Sequence, residues 1–324
     1  MSNPTPSVGP GLPETQSLAT DTVTAPAPPQ PGKKAKDAKP ASLWSDAWYD
    51  LRRRPMFIMS VIIILILLVM SAFPWLFTSI DPFDARSCDL STARQAPSAG
   101  HIFGKDNLGC DVYAKVIYGA RNSIIIGVFT TLVTTFIGSL LGMIAGFRSG
   151  VVDAVSSRFT EIFFAIPPIL GALLIGATFR GRINSIILVI AALGVLGWPM
   201  TFRIMRAAVI TAKNQDFVLA ARALGAGAGR IMLRHLLPNS LAPVIVVATI
   251  NLGGYIAAEA ALSFLSVGVQ SPDISWGLMI ADARTRFLEA PLPLFFPAAF
   301  LSVTVLAFIM MGDAVRDALD PKLR

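Results

Sequence analysis

The chain has 324 residues, of which 54% are hydrophobic and only 15% are charged. A soluble globular protein carries about 25% charged residues, so the composition excludes an ordinary soluble domain and predicts a membrane protein. The formal net charge of +7 raises nucleic acid as a partner, a hypothesis that the distribution of the charges tests below.

The N-terminal region predicts two segments outside the membrane. Residues 1–41 are rich in Pro, Ser, Thr and Ala and contain too little apolar surface to offset the entropy of folding, so we expect a disordered tail. Residues 42–54 place Trp and Tyr beside three arginines, which predicts an amphipathic helix on the membrane surface; a basic flank without a helix fits equally well. The next apolar run is too long for a signal peptide and predicts a retained anchor.

Six segments are long and apolar enough to cross a bilayer as helices, which takes about 20 residues. The sequence therefore predicts an all-α membrane protein, in which Pro167-Pro168 kinks the third span. In the second span, Gly138, Gly142 and Gly146 form a face for close helix packing, within this chain or against a partner. The six spans are residues 56–77, 123–147, 160–179, 184–205, 241–265 and 294–312.

The basic residues predict the orientation of these spans. Of the 27 Lys and Arg residues, 18 fall in the segments on the same side as the termini and nine on the other side. By the positive-inside rule, both termini and residues 216–239 are cytoplasmic. The basic residues are divided among separate loops, as membrane orientation requires, so we expect the lipid bilayer as a partner and no nucleic acid.

The predicted external segment, residues 78–122, contains both cysteines, Cys88 and Cys110. An oxidising compartment permits a disulfide between them, and two free thiols are the alternative. Near the external end of the fifth span lies Glu259, about 28 Å along the helix from Ser240. An acid in a membrane is a functional candidate, whereas an acid at the interface is not costly; Glu259 and Ser263 are candidate pathway or gate residues.

Residues 216–239 are polar enough to leave the membrane. Apolar and small residues recur at helical spacing from Phe217 to Leu224, and three glycines then interrupt the helix. A second short helix is predicted from Arg230 to Leu236, ending before Pro238. Two short helices at an angle, presented by two spans, would form a knob that another protein can bind.

The knob resembles the coupling loop, or EAA motif, of bacterial ABC importer permeases. The resemblance rests on Ala220-Ala221, Leu224-Gly225-Ala226, Arg230 and the run 235–239, while Leu219 replaces the motif's glutamate. Four further blocks, residues 104–123, 197–206, 259–277 and 312–321, resemble the C-type subunit of oligopeptide, dipeptide and nickel permeases, in the same order along residues 43–324. Cys110 replaces an arginine of the first of these blocks.

The resemblance implies a type I ABC importer permease fold: residues 55–122 as the first span with an external loop, and 123–324 as a five-helix core with a coupling loop at 209–239. It implies half of a pathway for small peptides, with nickel or another small solute as the alternative. The implied partners are a second permease subunit, two ATPases that bind ATP and Mg, and an extracytoplasmic binding protein. The expected coupling residues are Asp216, Ala220, Ala221, Leu224, Gly225, Ala226 and Arg230, with His235, Pro238 and Asn239 setting the exit angle of the loop.

The sequence contains no phosphate-binding loop, so we expect no ATPase activity, catalytic residue or cofactor in this chain. Its two histidines, His101 and His235, are predicted on opposite sides of the membrane, so no metal site is expected. The alternative from another class is an ATP-independent channel or secondary transporter. It needs an ionisable group near the middle of the membrane, and spans two, four and six show none.

Overall fold

The computed structural model describes residues 48–319. The predicted tail, residues 1–41, and the first part of the predicted surface helix, residues 42–47, lie outside this range. Regular secondary structure within the described residues is helical, apart from two isolated β-bridges. The helices of eight or more residues are α1 (Pro55–Ala72), α2 (Val112–Arg148), α3 (Gly150–Phe164), α4 (Pro168–Phe179), α5 (Ser185–Ala212), α6 (Asp216–Ala223), α7 (Leu237–Phe264), α8 (Trp276–Ala283) and α9 (Leu292–Leu319).

Five helical segments within residues 48–319 are long and apolar enough to cross a membrane, and a sixth candidate is the bent pair α3 and α4. The chain bends by 79° between α3 and α4, so the kink predicted at Pro167-Pro168 is confirmed. Pro168 is the first residue of α4, a position where the missing N–H breaks no helical hydrogen bond.

The second span begins at Val112, which is earlier than the predicted residue 123. Asp111 caps this helix, because its Oδ1 accepts a hydrogen bond from the backbone N–H of Ala114 at 2.6 Å. Lys115 and Arg121 lie in the first turns of α2. Their charges make that part of the sequence resemble a loop. The helix that carries the second span therefore starts inside the segment predicted to be an external loop.

The glycine face of the second span packs inside this chain, against α5. A Cβ atom at Gly138 would lie 2.7 Å from the carbonyl oxygen of Trp198, and one at Gly142 would lie 2.6 Å from that of Phe202. At Gly146 the nearest atom would be the carbonyl oxygen of Arg206, at 2.9 Å. Real Cβ atoms do not approach backbone so closely, so the two helices can touch only because these positions lack a side chain.

The outer helices cover this central pair. α1 packs against α2 and α9, and Ile64 is buried with Ile256, Ala307 and Phe308. The chain is also helical at residues 48–51, where Leu51 is buried against the end of α9. The described end of the predicted surface helix is therefore attached to the last span.

We expect Gly142→Val to destabilise the protein, because the added side chain must push α5 away. Overpacking of this kind costs about 1–3 kcal/mol. The midpoint of thermal unfolding of the purified protein in detergent measures the effect. Gly254→Ala is the control, since no atom lies within 4 Å of the Cβ position there. Equal midpoints for the two variants would contradict the close contact between α2 and α5.

Candidate functional site

Residues 216–239, called the knob from here on, begin with α6, which ends in a glycine turn. Gly225 has φ of +80°, a conformation that side chains with a Cβ adopt at a cost. Its N–H donates to the carbonyl of Arg222 at 2.9 Å, and the N–H of Ala226 donates to that of Ala221 at 3.0 Å. These two bonds form a Schellman motif, which ends the helix and turns the chain.

The second half of the knob differs from the prediction. Helix resumes at Ala228 and passes through a π-helical stretch, Ile231–Leu236, directly into α7. The helix expected to end before Pro238 therefore continues as the fifth span. The wide turn, in which the N–H of Leu237 donates to the carbonyl of Met232, accommodates a proline in a continuous helix. The side chain of Asn239 donates to the carbonyl of His235 at 2.7 Å.

The underside of the knob is apolar and buried. Val218 in α6, and Ile231 and Leu236 in the second half, pack against Met205 and Val209 of α5. Ala221 is buried as well, so it supports the packing of α6 and does not contribute to the exposed surface. The knob is thus attached to the ends of the spans through a hydrophobic contact.

The opposite face of the knob is exposed and mixes apolar with basic side chains. Leu224 is 88% exposed, and Leu219 and Leu233 are also exposed. Of the expected coupling residues, those with exposed positions are Asp216, Ala220, Leu224, Gly225, Arg230, Pro238 and Asn239, while Ala226 and His235 are half-buried. A surface of this kind, with large apolar side chains at a helix turn, is typical of a protein interface.

Polar contacts attach α3 to α5, and the loop before α6 to α2. The guanidinium of Arg206 in α5 binds both carboxylate oxygens of Asp153 in α3, with Nη2 donating at 2.6 Å. The ammonium of Lys213 donates to the carbonyl of Gly146 at 2.7 Å, near the end of α2, where a positive charge is favourable. The partners of Asp153 and Lys213 are distant in sequence, so the sequence alone predicts no role for these two residues.

At the other end of α7, Glu259 is the acceptor of a buried hydrogen-bond network. The hydroxyls of Ser263 and Ser275 donate to its Oε1 at 2.7 and 2.8 Å, and that of Ser123 donates to its Oε2 at 3.2 Å. Each serine also accepts from the backbone, as Ser123 does from the N–H of Trp276 at 3.2 Å. The network therefore joins α2, α7 and the start of α8.

Burial excludes one of the two alternatives for Glu259, an exposed acid at the membrane interface. Glu259 and Ser263 both have 0% exposed surface, so neither lines an open pathway in this structure. A buried polar group must be hydrogen-bonded, and the three serines meet this requirement. Glu259 therefore contributes to helix packing in this structure, and its role at the pathway or gate stays a prediction.

In the segment predicted to be external, the sulfur atoms of Cys88 and Cys110 are bonded to each other. A nearby cavity of about 380 Å³ is lined by residues that include Asp106, Lys115 and Asp282. Lys115 donates to Asp106 at 2.5 Å. Desolvation raises the pKa of Asp282 in α8, and the positive charge of Lys115 opposes this effect.

The comparisons with known proteins agree with this architecture. Residues 138–324, more than half of the chain, match the family described as "Binding-protein-dependent transport system inner membrane component". The chain belongs to this family. Residues 42–97 of the permease also match the "N-terminal TM domain of oligopeptide transport permease C". Family membership makes the chain a permease subunit of an ABC importer and not its ATPase.

Relatives of the permease match it over most of their length. It is 37% identical over 286 residues to the oligopeptide transport system permease protein OppC of Bacillus subtilis, with 88% of this chain and 92% of the relative covered. The identity is 38% to the dipeptide transport system permease protein DppC of Alkalihalophilus pseudofirmus, over 87% and 91%. It is 36% to the glutathione transport system permease protein GsiD of Escherichia coli, again over 87% and 91%.

A solved structure shows the same fold. An inward-facing structure of the MetNI methionine ABC transporter aligns with a TM-score of 0.54 at 19% identity, covering 64% of the permease and 96% of the matched chain. The predicted all-helical permease fold is confirmed.

We expect Glu259→Ala to destabilise the permease by about 3 kcal/mol, because the substitution leaves buried serine hydroxyls without their acceptor. Glu161→Ala is the matched control: this acid pairs with Arg158 on the surface, where an ion pair contributes less than about 1 kcal/mol. Thermal unfolding in detergent measures both variants. A midpoint for Glu259→Ala as high as that of the control would contradict the packing role.

Proposed function

We propose that the permease imports small peptides and that the knob is the surface on which a cytoplasmic ATPase docks. The observation that carries the coupling role is the two-sided knob: a buried apolar underside attached to α5 and an exposed face with Leu224 at its tip. The substrate class is supported by the names of three relatives, which specify oligopeptides, a dipeptide and glutathione. These names favour peptides over nickel.

The proposed orientation places both termini and the knob in the cytoplasm. The excess of basic residues on that side supports it. Cys88 and Cys110 give independent support, because the disulfide lies in the segment assigned to the opposite side, and disulfides persist in oxidising compartments. The permease would span the inner or plasma membrane of a bacterial cell.

In the proposed complex, a second permease subunit completes the pathway, two ATPases hold ATP and Mg, and an extracytoplasmic protein delivers the peptide. Closure of the ATPases on ATP would draw the two knobs together. Because the knob is packed onto α5, and Lys213 at the end of α5 binds α2, the spans would move with it and open the pathway to the other side. The contact can drive this change only if it differs in energy between the two states.

We expect Leu224→Asp to prevent docking, because a charge would replace the most exposed apolar side chain of the knob. Co-purification of the ATPase subunits with a tagged permease measures this, and we expect at least a tenfold loss. Leu288→Asp is the matched control, since Leu288 is 95% exposed but lies on the side assigned as external. Loss of the ATPases from both variants, or from neither, would contradict docking at the knob.

Gly225→Val tests coupling in the reconstituted complex. A β-branched residue cannot adopt the φ of +80° without strain, so we expect the turn to change while the spans remain inserted. Peptide uptake per ATP hydrolysed should fall about tenfold or more. Gly229→Ala, at a helical position with open space around it, should leave the ratio unchanged. Nucleotide-independent uptake by the wild-type protein would favour a channel or secondary transporter instead.

A further inference from the structure

A second cavity, of about 300 Å³, lies where the bent pair meets α5 and α7. It is lined by the break itself, at Ile166 and Pro168, by Leu196 and Met200 of α5, and by Asn251 and Tyr255 of α7. Helices that break within a membrane are a recurrent feature of transport pathways, because irregular backbone is tolerated only where it is covered by protein or faces a cavity.

Asn251 supplies the amide side chain among the described residues that line this cavity. It is the fifteenth of the 28 residues of α7, so it lies about 21 Å from the start of the helix and close to the middle of the span. Its side-chain amide forms no hydrogen bond with any residue in the part of the chain that the structure describes. Asn251 is half-buried and faces the cavity, so its unpaired amide is open to water there or to a partner from outside this chain.

The chemistry of the cavity indicates which partner. None of the described residues that line it carries a charge, and most are aliphatic or aromatic, which is unsuited to a metal ion. An asparagine amide both donates and accepts, and so matches the N–H and C=O groups of a peptide backbone. Beside it, Gly254 is exposed and no atom lies within 4 Å of its Cβ position, which leaves room for a chain to approach α7.

We propose that Asn251 is a binding residue for the backbone of the transported peptide midway across the membrane; this inference rests on the proposed peptide-import function. A contact with backbone amides is the same for every peptide sequence. The apolar wall around it supplies no charge that would select one side chain over another. The site would therefore recognise that the cargo is a peptide and tolerate differences among its residues.

The test uses the whole complex in proteoliposomes, with its ATPases and binding protein, and compares a tripeptide with its backbone N-methylated analogue. Each probe is presented at saturating binding protein. We expect Asn251→Leu to reduce uptake of the tripeptide about tenfold while the complex still assembles. The wild-type complex should prefer the tripeptide over the N-methylated analogue by a similar factor, and the variant should lose this preference. Asn251→Gln, which keeps the amide, should restore part of it.

Thr249→Val is the control, because the Thr249 hydroxyl already donates to the carbonyl of Ile245 at 2.9 Å within α7; we expect unchanged uptake. Failure of Asn251→Leu to assemble with the second permease subunit would overturn the inference, since the amide would then bind that subunit. Unchanged uptake or an unchanged preference would overturn it as well. Absence of ATP-dependent tripeptide uptake in the wild-type complex would instead contradict the proposed function.

Discussion

The contact between the backbones of α2 and α5 is the constraint on which the rest of the structure depends. Three glycines, each four residues after the last, let the two helices approach to a distance that no side chain would permit. In a membrane, where lipid competes equally well for apolar surfaces, such close packing is a main source of helix association. It holds the ends of both spans together, and the knob packs on those ends through Met205 and Val209.

At its opposite end, α2 has a second attachment, which joins it to α7 and to the start of α8. There Glu259 accepts hydrogen bonds from serine hydroxyls in α2, in α7 and in the segment that begins α8. Between the two attachments, α5 and α7 present Leu196, Met200 and Asn251 to the cavity at the helix break. In the proposed mechanism, a displacement at the knob would reach the cavity through these two attachments.

The sequence predicted what depends on local pattern. The lengths of the apolar segments predicted the spans, and Pro167-Pro168 predicted the bend. The four-residue spacing of the glycines predicted a packing face. Which helix that face contacts was open, because periodicity does not identify a partner. Burial of Glu259 was missed for a related reason: its partner Ser123 lies 136 residues away. Pro238 predicts the end of a helix, but a π-helical turn allows the helix to continue.

We expect the knob and the α2–α5 pair to move as one body when ATP binds. Spin labels in the reconstituted complex test it most directly, with one pair at exposed positions 233 in the knob and 132 in α2. A second pair joins position 233 to the knob of the second permease subunit. The account predicts that ATP shortens the second distance by several ångström and leaves the first unchanged. A change in the first distance with none in the second would contradict it.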